Sequence, residues 1–417
     1  MSSLPKTHST RQPAGRPRAA ASGFAVFGSG TIGLAITVLG LLAVSSPAHA
    51  QPAEPSQLRA AALSEERVRL RWQDNACDES SFILQIESDD QAWRNVPFAL
   101  EPDTSAVILS GLQPSTTYRF RILAANSDGF SVPSGIAEVR TFAAEPSCLV
   151  TPHRLCLMDG RYAVTTIFES EHFTGARHAA HAVPDGPRTG SFWFFDSRNL
   201  EISVEMIDGS GINGHIWVNA GGLSNLEYRV RVVDTVTGES RDYVHPTDDL
   251  CGISDRRAFL TPLASTAPPV KAEPDPISQR LPRLRIEKDP FRPSWQPMKL
   301  GCREAEDSQL SLLGRRFQLS LRWRDDDGTV HEAMPRYDSD NTGFFVTGEP
   351  DLADWAVKIL DGRFFNQHFW LFWTPLSGRE SWLQVTDTWT GKERRVYQAR
   401  GASCGHVDTV AFEGVSN

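Results

Sequence analysis

The sequence predicts an all-β fold, a tandem array of β-sandwich domains, on three observations. Runs such as Val68-Leu70-Trp72 and Phe82-Leu84-Ile86 place apolar side chains at every second position, the mark of strands with one buried face. No stretch sustains a 3.6-residue apolar period long enough for a substantial helix. The segment Asp208 to Phe259 returns as Asp361 to Phe412, without a gap and with 19 of 52 positions identical, so one β-unit has been duplicated. The chain has 417 residues, 40% hydrophobic and 22% charged, which accommodates about two to four ordinary domains.

The first fifty residues are of another kind. Lys6, Arg11, Arg16 and Arg18 stand without an acid among them, a Gly- and Ala-rich apolar run follows from Gly23 to Val44, and Ala48-His49-Ala50 offers the small-x-small pattern of a signal peptidase site. Residues 1–50 are therefore expected to be a signal peptide cleaved after Ala50. The alternative is an uncleaved anchor, against which the helix-breaking glycines weigh. No later segment is apolar enough to span a membrane. Loss of the four leader cations takes the net charge from −9 to −13, which excludes nucleic acid as a partner class and suits an exported protein.

Residues 52–143 carry a signature of their own. Trp72 lies on an alternating strand, Leu112-x-Pro114 and Tyr118 follow at a strand corner, and Asn126, Gly129 and Ser131 mark the turn before the last strand. In this order the motifs resemble a fibronectin type III domain, an immunoglobulin-like sandwich in which Trp72 is the core tryptophan and Tyr118 the tyrosine corner. Phe82, where a Tyr is common, and Cys77 depart from the pattern. Arg-Gly-Asp is absent from the sequence, so the resemblance does not extend to integrin binding.

The duplicated unit is placed at residues 146–261 and again at 301–413. Each copy contains a D-T-x-T-G phrase, Asp234 to Gly238 and Asp387 to Gly391. It fits a hairpin loop in which Asp and Thr side chains satisfy local backbone N–H groups and Gly takes a positive φ. "SFWFF" and "HFWLFW" are apolar at consecutive positions, as in strands covered on both faces. Upstream the copies match more loosely, Gly160-Arg161 with Gly314-Arg315 and Cys148 with Cys302. The unit resembles all-β domains of undefined activity in exported bacterial proteins, which implies location and architecture only.

Residues 262–300 hold nine prolines between Pro262 and Pro297 and read as an extended linker. A sharper reading of Arg280, Arg283, Arg285 and Lys288 is a basic docking strip. All six cysteines (77, 148, 156, 251, 302, 404) lie after the leader, so disulfides are expected. Symmetry favours Cys148 with Cys251 and Cys302 with Cys404. Cys77 and Cys156 remain open: a bridge between domains, free thiols, or Cys156 in place of Cys148.

No catalytic, cofactor or metal site is assigned: the sequence after the leader lacks HExxH and a P-loop, and an all-β pattern without substantial helices lacks the strand-turn-helix context that a nucleophile elbow or a dinucleotide fingerprint needs. Asp325 to Asp327 read as an Asp-Gly hairpin rather than a calcium loop. Glu171, His172, His178 and His181 lack an anchoring partner for zinc, and His215 and His368, kept in both copies, read as structural hydrogen-bonding groups. The tryptophans carry the binding argument. Trp373, Trp382 and Trp389 replace Ala220, Arg229 and Val236 of the first copy. Exposed together they would form a ligand-binding patch for a polysaccharide or an extracellular protein; the competing reading packs them against the Pro-rich linker or the neighbouring domain. The function expected is thus non-catalytic binding or adhesion by a secreted, periplasmic or cell-surface protein of a Gram-negative bacterium. The alternatives are an extracellular hydrolase with an accessory fibronectin module, its work done by His215 or His368 beside a carboxylate, and a structural cell-surface component.

Overall fold

The computed structural model describes residues 51–88, 91–144, 147–170, 177–261, 284–291, 309–349 and 352–414. The expected signal peptide, most of the linker, Cys302, Glu171 and His172 lie outside these residues. The fold is all-β; the helical exceptions among the described residues are the single turns Ser210–Asn213 and Arg363–Asn366.

The N-terminal domain pairs two sheets. Ser56–Ala62, Arg67–Gln73 and Ala106–Ser110 form one; Gln91–Leu100, Ser81–Ser88, Thr117–Asn126, Gly129–Phe130 and Ala137–Arg140 form the other. Trp72 is buried edge-on to Phe82, with ring centroids 5.7 Å apart. The Tyr118 hydroxyl accepts the Gln113 N–H at 2.9 Å, closing the corner on which the resemblance rested, and Ser131 Oγ accepts the Ala124 N–H.

In each repeat two five-stranded sheets enclose a core. The outer sheet of the first copy centres on Tyr162–Glu169 and Tyr228–Asp234, and its inner sheet runs His181–Pro184, Thr189–Trp193, Leu200–Gly209, His215–Gly222, Ile253–Leu260. The second copy repeats this with Phe317–Arg324 and Ser381–Asp387 outside, and Met334–Ser339, Thr342–Val346, Trp355–Gly362, His368–Pro375, His406–Glu413 inside. Both-face burial of the apolar runs has a specific cause. The outer sheet covers one face of each inner sheet, and the sister repeat covers the other through Val183, Leu200, Leu223, Phe344, Ala356, Phe372 and Leu376.

The D-T-x-T-G loops form as expected. Asp234 Oδ1 accepts the Val236 and Thr237 N–H groups, and Gly238 and Gly391 have φ of 75° and 70°. Each Asp also binds an arginine, Arg161 to Asp234 and Arg316 to Asp387, at 2.6 and 2.8 Å. The counterpart of Arg161 is therefore Arg316, not Arg315: Tyr162–Glu169 and Phe317–Arg324 are offset by 155 whereas Thr189–Trp193 and Thr342–Val346 are offset by 153, because the connection after the strand is two residues shorter in the second copy. Burial pushes the Asp234 carboxyl up, but the Arg161 bond and the backbone N–H groups outweigh it and hold the group below the ordinary carboxylate value.

The disulfides differ from the symmetric expectation. Cys148 pairs with Cys156, eight residues on, and Cys251 pairs with Cys404 of the other repeat; Cys77 is also disulfide-bonded. Neither Cys148–Cys251 nor Cys302–Cys404 forms. Symmetry does govern the second bridge, but between the copies rather than within each. Around it Gly252 N–H donates to Ser403 O at 2.7 Å and Gly405 N–H to Leu250 O at 2.6 Å. These bonds interchange under the repeat offset, so an approximate two-fold axis passes through the disulfide. A side chain at Gly405 would put its Cβ 2.3 Å from Trp373 O, so the axis needs glycine there.

The linker segment is in part a strap. Arg285–Glu287 adds a fourth strand to the first sheet of the N-terminal domain beside Ala106–Ser110, Leu284 enters that domain's core, and Phe291 packs with Leu63 and Ile108. Covering an edge strand in this way satisfies its open N–H and C=O groups. Asp289 of the strap receives Arg69 at 2.8 Å. Next to it Arg71 donates to Asp338 Oδ1 at 2.7 Å, and Asp185 lies 3.7 and 3.8 Å from Arg69 and Arg71. Asp185 and Asp338 are counterparts in the two repeats, so the N-terminal domain reads the same position in both copies.

Candidate functional site

The structure separates the three tryptophans. Trp373 lies on the core side of its strand with Phe369 and Leu371, half-buried, its ring 5.2 Å from His406. Trp382 points from the outer sheet, as alternation requires, and Trp389 sits beyond the far end of the same strand, roughly 20 Å away at about 3.3 Å per residue. Trp389 is 60% exposed and stacks on Arg316, 4.5 Å from its ring.

Around Trp382 the outer sheet forms a shallow groove of about 230 Å³ that includes Ser320, Arg322, Gln384, Arg395 and Tyr397. Its centre is one cross-strand row, Glu332–Arg322–Trp382–Tyr397, set by the register of four adjacent strands. The Trp382 and Tyr397 rings are 5.8 Å apart, Arg324 lies 5.2 Å from Trp382, and the Tyr397 hydroxyl donates to Glu380 at 3.0 Å. The Glu380 carboxylate and its charge raise the Tyr397 pKa above the ordinary tyrosine value. In the first copy the same row reads Ala179–Ile167–Arg229–Val244. Sequence comparison singled out Trp382 but not its partner: Tyr397 replaces Val244, on a strand that by itself gives no sign of facing Trp382.

A second aromatic group escaped notice. Phe364 and Phe365, on the Arg363–Asn366 turn, are 91% and 73% exposed, with rings 5.4 Å apart. The available signal was the replacement of Gly211-Ile212 by Phe-Phe.

The repeated histidines are part of a turn clamp. Asn213 Oδ1 accepts the Trp217 Nε1–H at 2.9 Å, its amide donates to Arg256 O, and His215 Nδ1 lies 2.8 Å from Asn213 O. Asn366, Trp370, Thr409 and His368 reproduce these bonds at 2.9, 2.7 and 2.6 Å. Gly209 and Gly362 permit the indole to lie on the turn, since an added Cβ would come within 2.1 Å of Trp217 or Trp370. Neither His215 nor His368 lines this groove or the larger cleft between the repeats. His178 and His181 lie on separate sheets, and His181 stacks on Trp193 with centroids 3.8 Å apart. Asp325 closes a turn, accepting the Thr329 N–H at 2.8 Å and binding His331 at 2.7 Å.

Residues 53–140 match the fibronectin type III domain family. Over 86 residues the chain is 35% identical to Cell adhesion molecule Dscam1 of Drosophila melanogaster, a stretch covering 20% of this chain and 4% of that protein. Over 109 residues it is 31% identical to human Roundabout homolog 1, covering 25% and 6%. Among solved structures, a fibronectin type III domain of human fibronectin type III domain containing protein 3 matches 24% of this chain and 93% of that one, at 27% identity and a TM-score of 0.20. The chain thus spans only a small part of the curated relatives it matches. No helix among the described residues is long and apolar enough to cross a membrane.

Proposed function

We propose that the chain is an exported, non-catalytic adhesion protein that binds a protein partner through the outer sheet of its second repeat. The observation that supports this is the replacement of Ile167–Arg229–Val244 by Arg322–Trp382–Tyr397 in one exposed cross-strand row. A duplicated sheet keeps its core while one copy gains Trp, Tyr and Arg on its solvent face, the residue types that dominate binding hot spots. The fibronectin type III domain and the Dscam and Roundabout relatives, one named a cell adhesion molecule, agree with an adhesive role. Disulfides favour a compartment outside the cytoplasm.

Beads coated with the full chain are expected to be retained on a layer of the producing cells. Installing the first copy's residues, W382R with Y397V, should lower retention by about tenfold or more, as loss of two hot-spot aromatics does. Retention unchanged in a variant with the parent melting temperature would overturn the proposal.

A further inference from the structure

The approximate two-fold axis through Cys251–Cys404 gives the interface between the repeats two symmetry-related positions, one on each side. On one side the cross-strand row Lys358–Phe372–Val407 closes the cleft. Phe372 and Val407 join the apolar cluster with Leu200 and Leu223, and Lys358 Nζ donates to Glu201 at 3.0 Å. The counterpart row on the other side is Glu205–Asn219–Ser254. Small polar side chains here replace Phe and Val, and a cleft of about 630 Å³ stands open between the repeats. That volume falls within the usual range of small-molecule sites, about 300–1,000 Å³.

We propose that this cleft binds an uncharged saccharide, stacked on Trp217 and donating a hydrogen bond to Asn219. Three features select that chemistry. Asn219 is only 8% exposed and its Oδ1 has no donor, a cost that a ligand O–H or N–H removes. Trp217 is held by the Asn213 bond and by its seat on Gly209, with Arg256 over its ring at 5.3 Å, so an indole of fixed orientation stands in the cleft wall. A pyranose presents one apolar C–H face for such a surface and a rim of hydroxyls that both donate and accept. Finally, four arginines and four carboxylates line the cleft, several already matched, Arg400 with Asp326 at 2.6 Å and Arg379 with Asp354 at 3.5 Å. Three of the four arginines thus have a carboxylate partner and Arg256 lies over the Trp217 ring, so a charged ligand gains little there, whereas a neutral polyol still finds donors and acceptors.

The test titrates the full chain with cellobiose, maltose and N,N′-diacetylchitobiose, read by saturation-transfer NMR and tryptophan fluorescence. The informative variant is Asn219→Phe with Ser254→Val, which installs the residues the second copy already accommodates. Retained melting temperature and retained Cys251–Cys404 linkage establish that the variant folds. The expected result is saturable binding of at least one disaccharide, weakened about tenfold or more by the cleft variant and unchanged by W382R with Y397V. No binding of any of the three, or binding that survives filling the cleft, would overturn the proposal. So would a preference for a uronic-acid disaccharide or for a peptide over the neutral sugars.

Discussion

Cys251 is bridged to Cys404, its own counterpart in the duplicated unit: their sequence separation of 153 equals the repeat offset. A residue bonded to its own copy lies on the symmetry axis, as in an isologous dimer interface. The bridge closes a long loop, and the chain-entropy relation puts its stabilisation at about 5 kcal/mol, with measured losses of native disulfides typically about 2–5. Replacing both cysteines by serine should lower the unfolding free energy by that order, seen as a lower urea midpoint. An unchanged midpoint would mean the repeats hold together without the bridge. Peptide mapping under non-reducing conditions should recover Cys251 linked to Cys404.

Arg71 and Asp338 join the N-terminal domain to the second repeat inside a buried network. Desolvation lowers the Arg71 pKa, but Asp338 and Asp185 outweigh it and raise it above its ordinary value. Removing one member strands the other's charge, at about 3–5 kcal/mol, while replacing both with apolar residues is far less costly. Arg71→Ala should therefore be strongly destabilising and Arg71→Met with Asp338→Leu much less so. Equilibrium unfolding of both variants and the parent measures the coupling, and equal losses would show that the pair is not what holds the domains.

The all-β class, the fibronectin corner at Tyr118 and the loops at Asp234 and Asp387 were legible because each is decided by neighbours in sequence. The disulfides were not: Cys148–Cys251 and Cys251–Cys404 satisfy symmetry equally, and only the stacking of one repeat on the other selects between them. The same stacking explains both-face burial at Thr189–Trp193, which consecutive apolar residues show without saying what lies opposite. Residues 284–291 read as linker because Pro and charge dominate there. The short run Arg285–Glu287, which pairs with an edge strand, carries too little pattern to stand out. At the outer groove, substitution between copies exposed Trp382, but pairing it with Tyr397 required the register of two strands.

The Asn213 and Asn366 clamps make a matched pair of experiments. Each carboxamide oxygen accepts an indole N–H and each amide bonds a carbonyl of the neighbouring strand. Loss of one such set costs on the order of 1–3 kcal/mol when a partner is left unsatisfied. Asn213→Ala and Asn366→Ala should each destabilise by that order, and the double variant by nearly the sum, since the turns share no partner. Denaturant titration decides it; a double variant no worse than either single one would show that the clamps are not independent.

Stability should also fall on mild acidification, for a reason set by two histidines. Burial pushes the His245 pKa below its ordinary value, outweighing the opposing pull of Asp249, and the ring stacks on Tyr228 at 4.4 Å. Burial, and then His153 at 4.6 Å, lowers His181 in the same direction. With folded values below unfolded ones, the unfolded chain takes up protons first as pH drops. Their contribution is therefore intact above the ordinary histidine value of about 6.5 and is lost as pH falls through the folded values. Asp234 and Asp387, held low by their arginines, act in the same sense but only below about pH 4. Melting temperature should thus decline between pH 7.5 and 5, before the carboxylates titrate. His245→Phe, which keeps the stack on Tyr228 and removes the titrating group, should flatten the decline. A parent protein whose melting temperature is level across that interval would show that neither ring is held neutral by the fold.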